Sequence, residues 1–295
     1  MPISHEFEYH KAKSIDEAVK LLSENPENSK IIAGGTDLTV HIKEDVIAPD
    51  VLIDIKAIPE FKEISFSNNV LSIGANVTFS EIEDNKIIEN NFRVLWEAAS
   101  TVASVGVRNR ATLTGNICSA VPSLDSAPAL FLYDAEVYVK NSDNERVISI
   151  NDWFTGPKRT SLKKDEIVTK ITLKFPKEKT ASCYKKLGRY KGEDLAQVGM
   201  GVLVSENKEY KVAVCAVGPV PKRATKTEEF LKGKEINDAN IKEAQEILAT
   251  EISPITDIRA SKEYRTHIAK VMLEKGLKES SDLLSGKEVK SEPIL

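Results

Sequence analysis

A run of branched and small apolar residues ending on two adjacent glycines constrains this chain most: Ile31-Ile32-Ala33-Gly34-Gly35-Thr36-Asp37-Leu38. The run predicts a strand, and Thr36 and Asp37 lead into a short helix. Adjacent glycines let the backbone turn sharply and leave no Cβ between its N–H groups and a ligand. N–H groups gathered at such a turn favour an anion, most often a phosphate. A plain strand-to-helix turn with no ligand has the same sequence, because glycine pairs commonly punctuate structure.

The elements around this turn follow in order. Phe7-Glu8-Tyr9 alternates as a first strand, and Ser14-Ile15-Asp16-Glu17 reads as a capping box. Ile15, Ala18, Val19, Leu21 and Leu22 have helical spacing, which Asn25-Pro26 ends. Lys30 to Ala33 delivers the turn, and Val51 to Ile55 is a short strand with both faces buried. Strand, helix, strand, turn, strand makes an α+β unit over residues 1–56. A second unit, 57–177, contains a hairpin around Ser67-Asn68-Asn69 and a short helix from Thr78. It also has an amphipathic helix over Phe92 to Ala103, with Trp96 on its apolar face, and strands near Val137, Ile148 and Ile171. Trp96 and Trp153 both read as core. Lys177-Glu178-Lys179-Thr180 is the charged break between domains. Beyond it, 178–283 reads as three strands (Ser182 to Leu187, Gln197 to Val204, Tyr210 to Val217) and three helices (Ala224 to Leu231, Asp238 to Ala249, Ser261 to Lys275). The chain from Ser280 is polar and reads as frayed, with 284–295 as a tail.

Composition narrows the function classes. Hydrophobic residues make up 41% and charged residues 29%, which places the chain among globular proteins rather than disordered ones. A net charge of −4 gives no nucleic-acid footprint. No secretory leader is apparent, and no apolar run approaches the roughly 18 residues of a membrane span. Cys118, Cys183 and Cys215 are far apart, so they indicate neither a disulfide framework nor a local zinc or iron–sulfur site. Reduced thiols and a cytoplasmic location are the simplest account. His5, His10, His41 and His267 are scattered and read as surface or packing residues.

The second informative stretch is Ser104 to Pro128, rich in Gly, Asn, Ser, Thr and Pro between two apolar segments. It reads as one long loop, a form that is often functional. Thr112, Thr114, Asn116 and Ser119 offer side-chain donors beside Gly115, with Arg108 and Arg110 supplying positive charge. Asp125 offers a carboxylate to ribityl or ribose hydroxyls. Turns at Gly34-Gly35 and Gly115-Asn116 would hold a pyrophosphate between them with neither a lysine-bearing P-loop nor Gly-x-Gly-x-x-Gly. A covered loop whose polar groups satisfy one another is the other reading.

Together, Ile31 to Leu38 and Arg108-Asn109-Arg110-Ala111-Thr112-Leu113-Thr114-Gly115-Asn116-Ile117-Cys118, continuing to Leu130, resemble the FAD-binding subunit of the xanthine dehydrogenase family of molybdenum hydroxylases. Tyr184-Lys185-Lys186-Leu187-Gly188-Arg189 resembles the start of that family's carboxyl-terminal flavoprotein domain, so the resemblance spans nearly the whole chain. It implies an α+β fold: a two-subdomain FAD-binding domain of the vanillyl-alcohol-oxidase/PCMH type, then the small carboxyl-terminal domain. It implies that Ile31, Ile32, Ala33, Gly34, Gly35, Thr36, Asp37 and Leu38 line the FAD pyrophosphate, with Thr112, Leu113, Thr114, Gly115 and Asn116 as the second turn. Asp125 would bind a hydroxyl of the FAD, Val102, Ala103 and Val168 would lie near the flavin, and Lys185 or Lys186 would approach it. FAD would be held non-covalently. The family carries two glycines before the asparagine; Thr114 takes the first place here and would be strained if that place needs a positive φ.

The implied role is electron transfer, with no residue of this chain acting as acid or base. Electrons would come from [2Fe–2S] clusters on a small partner chain, fed by a molybdopterin-bearing large one, and pass to NAD+ or another acceptor. A stand-alone flavin reductase and a non-catalytic nucleotide-binding module are the rival readings. Tyr190, beside Lys191-Gly192-Glu193-Asp194, either caps the flavin ring or belongs to an ordinary turn.

Overall fold

The structure, a computed structural model, describes residues 3–190 and 193–289. Lys191 and Gly192, in the segment after Tyr190, and 290–295 of the expected tail lie outside the described residues.

Three parallel strands open the fold: β1 (Glu8–Lys11), β2 (Ser29–Ile32) and β3 (Val51–Asp54), in the order β1-β3-β2. The central strand β3 is the apolar one, and Leu52 and Ile53 are buried within it. Helix α1 (Ile15–Glu24) joins β1 to β2 and packs Ala18, Val19 and Leu22 beside Ile53 and Phe61. Ser14 caps it by accepting from the Glu17 N–H. The reciprocal half of the capping box is displaced by one residue, since the Glu17 carboxylate accepts from the Lys13 N–H at 2.7 Å. Helix α2 (Leu38–Lys43) follows the glycine pair.

The second unit is built on β4 (Ile64–Ser67) and β5 (Val70–Gly74), whose turn residues Asn68 and Asn69 have φ of 50° and 59°. Two positive φ values make the type I′ turn that matches strand twist. Short helices come next: α3 (Phe79–Glu83), α4 (Lys86–Asn91), α5 (Arg93–Ser100), α6 (Val105–Arg108), α7 (Leu113–Ser119) and α8 (Ser126–Leu132). Strands β6 (Glu136–Lys140) and β7 (Glu145–Ser149), a ribbon of β8 (Phe154–Gly156) and β9 (Arg159–Thr160), and β10 (Ile167–Lys174) complete the unit. The antiparallel sheet runs β4-β5-β10-β6-β7.

The stretch from Ser104 to Pro128, expected as one loop, is instead α6, α7 and the start of α8. Ser104 accepts from the Val107 N–H and Thr112 from the Gly115 N–H. Hydroxyl residues that read as loop composition therefore act as helix caps. Trp153 is fully buried and donates to the Ile117 carbonyl at 3.0 Å. Trp96 is only partly buried and donates to the Glu83 carbonyl.

The last unit pairs β11 (Thr180–Leu187), β12 (Val198–Ser205), β13 (Tyr210–Cys215) and β14 (Lys222–Arg223) with α9 (Thr225–Leu231), α10 (Asp238–Glu251) and α11 (Lys262–Leu284). The two-residue edge strand β14 is a fourth strand where three were expected, too short to carry a pattern. Every residue of β12 is buried, with α11 on one face and α8 on the other. Helix α11 runs past the expected stop at Lys275, because Gly276 serves close packing: a Cβ there would stand 2.6 Å from Val202 Cγ2. Nor does the chain fray at Ser280, which is buried and donates to the Val202 carbonyl. Among the described residues, no helix is long and apolar enough to cross a membrane.

Candidate functional site

The first glycine turn leaves the carboxyl end of β2, an edge of the parallel sheet. Ile32 is buried with Ile42 and Leu52, and Leu38 packs on that cluster, while Ile31 and Ala33 pack on the α1 side. The strand is therefore anchored on both faces before it turns. Gly35 takes a φ of +75°, which glycine adopts without a Cβ penalty. Its carbonyl is held by the Thr39 N–H and hydroxyl at 3.0 and 2.6 Å. The N–H groups of Gly34, Gly35, Thr36 and Asp37 find no acceptor among the described residues. Asp37 is exposed and makes no side-chain cap on α2.

Gly34 joins this turn to the second one. A Cβ on Gly34 would stand 2.0 Å from the Arg110 carbonyl oxygen and 3.0 Å from Ala111 Cα. From there the chain enters α7 directly. Leu113 is buried and donates its N–H to the Val77 carbonyl. Thr114 is buried, and its Oγ1 has no hydrogen-bond partner. Gly115 is exposed, and Asn116 Oδ1 accepts from Ser126 Oγ at 2.6 Å. Neither Thr114 nor Gly115 has a positive φ, so the anticipated threonine strain does not arise. Both lie in the first turn of α7, where threonine is tolerated.

Arg108 is not a free cation beside these turns. It pairs with Glu83 at 2.7 Å and donates to the carbonyls of Val102 and Ala103. That bracing accompanies a φ of +40° at Ala103 and the end of α5 at Ser100, short of the expected Ala103. Val102 is buried in the same core as Leu113 and Val168, and the β10–β6 register shifts between Val168 and Lys170.

Asp125 is buried, and both its oxygens have protein partners: the Tyr184 hydroxyl at 2.7 Å and Lys186 Nζ at 2.8 Å. Burial pushes its carboxyl above the usual aspartate range, and the Lys186 charge opposes that. Burial and the neighbouring carboxylate push the Tyr184 hydroxyl well up. Lys185 points the other way and pairs with Glu279 of α11 in a buried ion pair. Strand alternation explains the split, since successive side chains face opposite sides of a sheet. That period was already readable in the sequence and separates the two lysines. Thr101, the Ser126 hydroxyl and the Arg110 carbonyl carried no recognisable signal, and Tyr184 stood in the run to Arg189 with no role assigned to it.

The array fits a dinucleotide pyrophosphate: N–H groups from Gly34 to Asp37 without an acceptor among the described residues, on a turn in backbone contact with Arg110 and Ala111, and an orphaned buried hydroxyl, Thr114 Oγ1, on the helix that follows. Residues 5–176 match the FAD binding domain in molybdopterin dehydrogenase, and 182–280 the CO dehydrogenase flavoprotein C-terminal domain. The chain is 30% identical over 287 residues to a xanthine dehydrogenase FAD-binding subunit of Escherichia coli, covering 95% of this chain and 97% of that protein. It is 32% identical over 277 residues to the glyceraldehyde dehydrogenase medium chain of Sulfolobus acidocaldarius, covering 93% and 98%. The fold matches a chain of carbon monoxide dehydrogenase from Hydrogenophaga pseudoflava with a TM-score of 0.90 at 29% identity, covering 94% of this chain and 98% of that one.

Fold and site together define a flavoprotein subunit of an oxidoreductase. The chain belongs to the molybdopterin dehydrogenase family, as its FAD-binding medium subunit, and its cofactor is FAD.

Proposed function

We propose that this chain is the electron-transfer subunit of a multi-subunit, xanthine dehydrogenase-like molybdenum hydroxylase. It takes electrons from [2Fe–2S] clusters on a small partner chain, with molybdopterin on a large one, and passes them to NAD+ or another acceptor. Bound FAD supplies the redox chemistry; the protein supplies position and electrostatics. The observation that carries this reading is the set of unpaired N–H groups from Gly34 to Asp37, set against the Arg110 carbonyl.

In this reading Ile31 to Leu38 and Thr112 to Asn116 hold the pyrophosphate from two sides. Val102, Ala103 and Val168 form the apolar wall by the flavin, and Lys186, rather than Lys185, faces that half of the molecule. We assign 1–177 to the FAD-binding domain, with subdomains of about 1–56 and 57–177. The carboxyl-terminal domain takes 178–283, the tail 284–295, and we place the chain in the cytoplasm.

The test is purification of the chain with its FAD. Acid precipitation should release the yellow cofactor into the supernatant. Stopped-flow mixing should then show flavin reduction by NADH or by a reduced [2Fe–2S] partner. Flavin that neither donor reduces overturns the electron-transfer role, and colour retained in the washed pellet overturns non-covalent binding.

A further inference from the structure

The antiparallel sheet of the second unit ends on β7, which pairs with β6 and has no strand on its other side. The Ile150 N–H donates to the Ala135 carbonyl and the Asn141 N–H to the Asn144 carbonyl, so the even-numbered residues of β7 face β6. In an antiparallel ladder the alternate residues then turn their N–H and C=O groups outward. Those of Glu145, Val147 and Ser149 find no partner among the described residues. Free edges are ordinarily blunted by a charge, a proline or a bulge. Val147, at the middle of β7, is apolar and 50% exposed, and the β6–β7 register is unbroken. Arg146, the charge beside it, is turned to the other face and held by Glu166 at 2.7 Å.

Val147 and Ser149 also line a cleft of about 550 Å³ between this sheet and the last unit. The lysines of the cleft are already paired within the chain: Lys174 with Glu136 at 2.8 Å and Lys211 with Asp134 at 2.6 Å. Its carboxylates are in excess. Glu178 has no cationic partner among the described residues, and Glu209 has only the exposed Lys232 at 3.2 Å. At the start of β7, Glu145 shares Lys140 with Asp16.

We infer that β7 is a docking edge for an extended segment of a partner polypeptide, added to this five-stranded sheet with the pattern basic-x-apolar-x-basic. In this mode main-chain pairing supplies affinity and alternate side chains supply selectivity. The period of two sets the pattern, because every second residue of the added strand shares the face of Glu145, Val147 and Ser149. An apolar residue covers Val147 across the pair. The basic residues on either side of it meet Glu145 and the carboxylates of the cleft, which complement their charge.

The test compares the FAD-loaded chain alone with its assembled oxidoreductase by amide hydrogen exchange. The amides of Glu145, Val147 and Ser149 should exchange freely in the isolated chain and about tenfold more slowly, or slower still, in the assembly. Val147→Pro removes an N–H that points away from β6, so the β6–β7 pair survives while strand addition is blocked. That variant should keep its FAD and assemble about tenfold more weakly. Should it not fold, Glu178→Lys with Glu209→Lys reverses the excess charge and should weaken assembly about tenfold at low salt, and less at high salt. Equal exchange in the two forms overturns the docking edge. Protection that grows with the concentration of the chain alone also overturns it, because a second copy then covers β7. Assembly undisturbed by the charge-reversed pair overturns the basic occupant. The inference rests on the reading that the chain works within an assembly, which gel filtration of the mixed subunits tests separately. Failure to form any complex overturns that reading, whereas a complex with an unprotected β7 overturns the edge alone.

Discussion

The α-carbon of Gly34 faces the carbonyl oxygen of Arg110 so closely that a Cβ on Gly34 would stand 2.0 Å from it. The two glycine turns therefore touch through backbone, and no side chain can be interposed without moving one of them. Gly34→Ala should push the turns apart and misplace the N–H groups of Gly34 to Asp37. We expect FAD affinity to fall by about 2 kcal/mol, roughly thirtyfold. Titration of the deflavinated variant, with circular dichroism to verify folding, measures it; wild-type affinity in a folded variant would remove the turns from the cofactor site.

Thr114 Oγ1 is buried without a partner in the protein. Thr114→Val keeps the shape and deletes only the hydroxyl. Without FAD, the variant should be more stable by about 1 kcal/mol, since an unsatisfied buried group is removed. With FAD, it should bind about tenfold more weakly if the hydroxyl donates to a phosphate. Urea unfolding with and without FAD checks both signs. Equal affinity in the two proteins would mean that the hydroxyl has no cofactor partner.

Glu97 is buried on α5 and accepts from Arg93 Nε and the Tyr184 N–H, both at 2.7 Å. Burial holds its carboxyl above the ordinary glutamate value, against the pull of those two donors. The folded state therefore keeps this proton to higher pH than the unfolded state does. Its contribution to stability is complete below about pH 4.3 and is lost as pH rises through the raised value. Glu97→Gln fixes the neutral form, so its stability relative to wild type should grow as pH rises through the raised value. Chemical denaturation from pH 4 upward measures this, and a pH-independent difference would contradict it.

Gly199 leaves the slot through which Tyr184 reaches Asp125. Gly199→Ala should overpack that slot, costing about 1–3 kcal/mol of stability. The buried tyrosine should also be displaced, giving a changed near-ultraviolet circular dichroism signal. A variant of unchanged stability would show that the strands part easily there.

How much was legible can be read at particular residues. Glycines at 34 and 35 announced a turn because only their lack of a Cβ permits one, and the apolar run before them announced the strand. The antiparallel hairpin at Asn68-Asn69 and the strands of the last unit were equally local in origin. The segment from Ser104 to Pro128 misread as loop, because Ser104 and Thr112 serve either loops or helix caps and their role depends on which N–H lies within reach. The last helix was expected to end at Lys275, and its continuation through Gly276 was not legible because the contact of Gly276 with Val202 is made across 74 residues of chain.

What the sequence determined by itself was everything governed by neighbours: strand and helix periods, the sharp turn at Gly34-Gly35, and a two-motif pattern specific enough to suggest the family. What only the tertiary structure decided was which distant groups meet. Whether Lys185 or Lys186 faces Asp125, whether Arg108 is free, and whether Thr114 finds a partner all depend on contacts between elements far apart in the chain. Those contacts are set when apolar faces pack, and the polar side chains then take whatever partner the packing brings within hydrogen-bond distance.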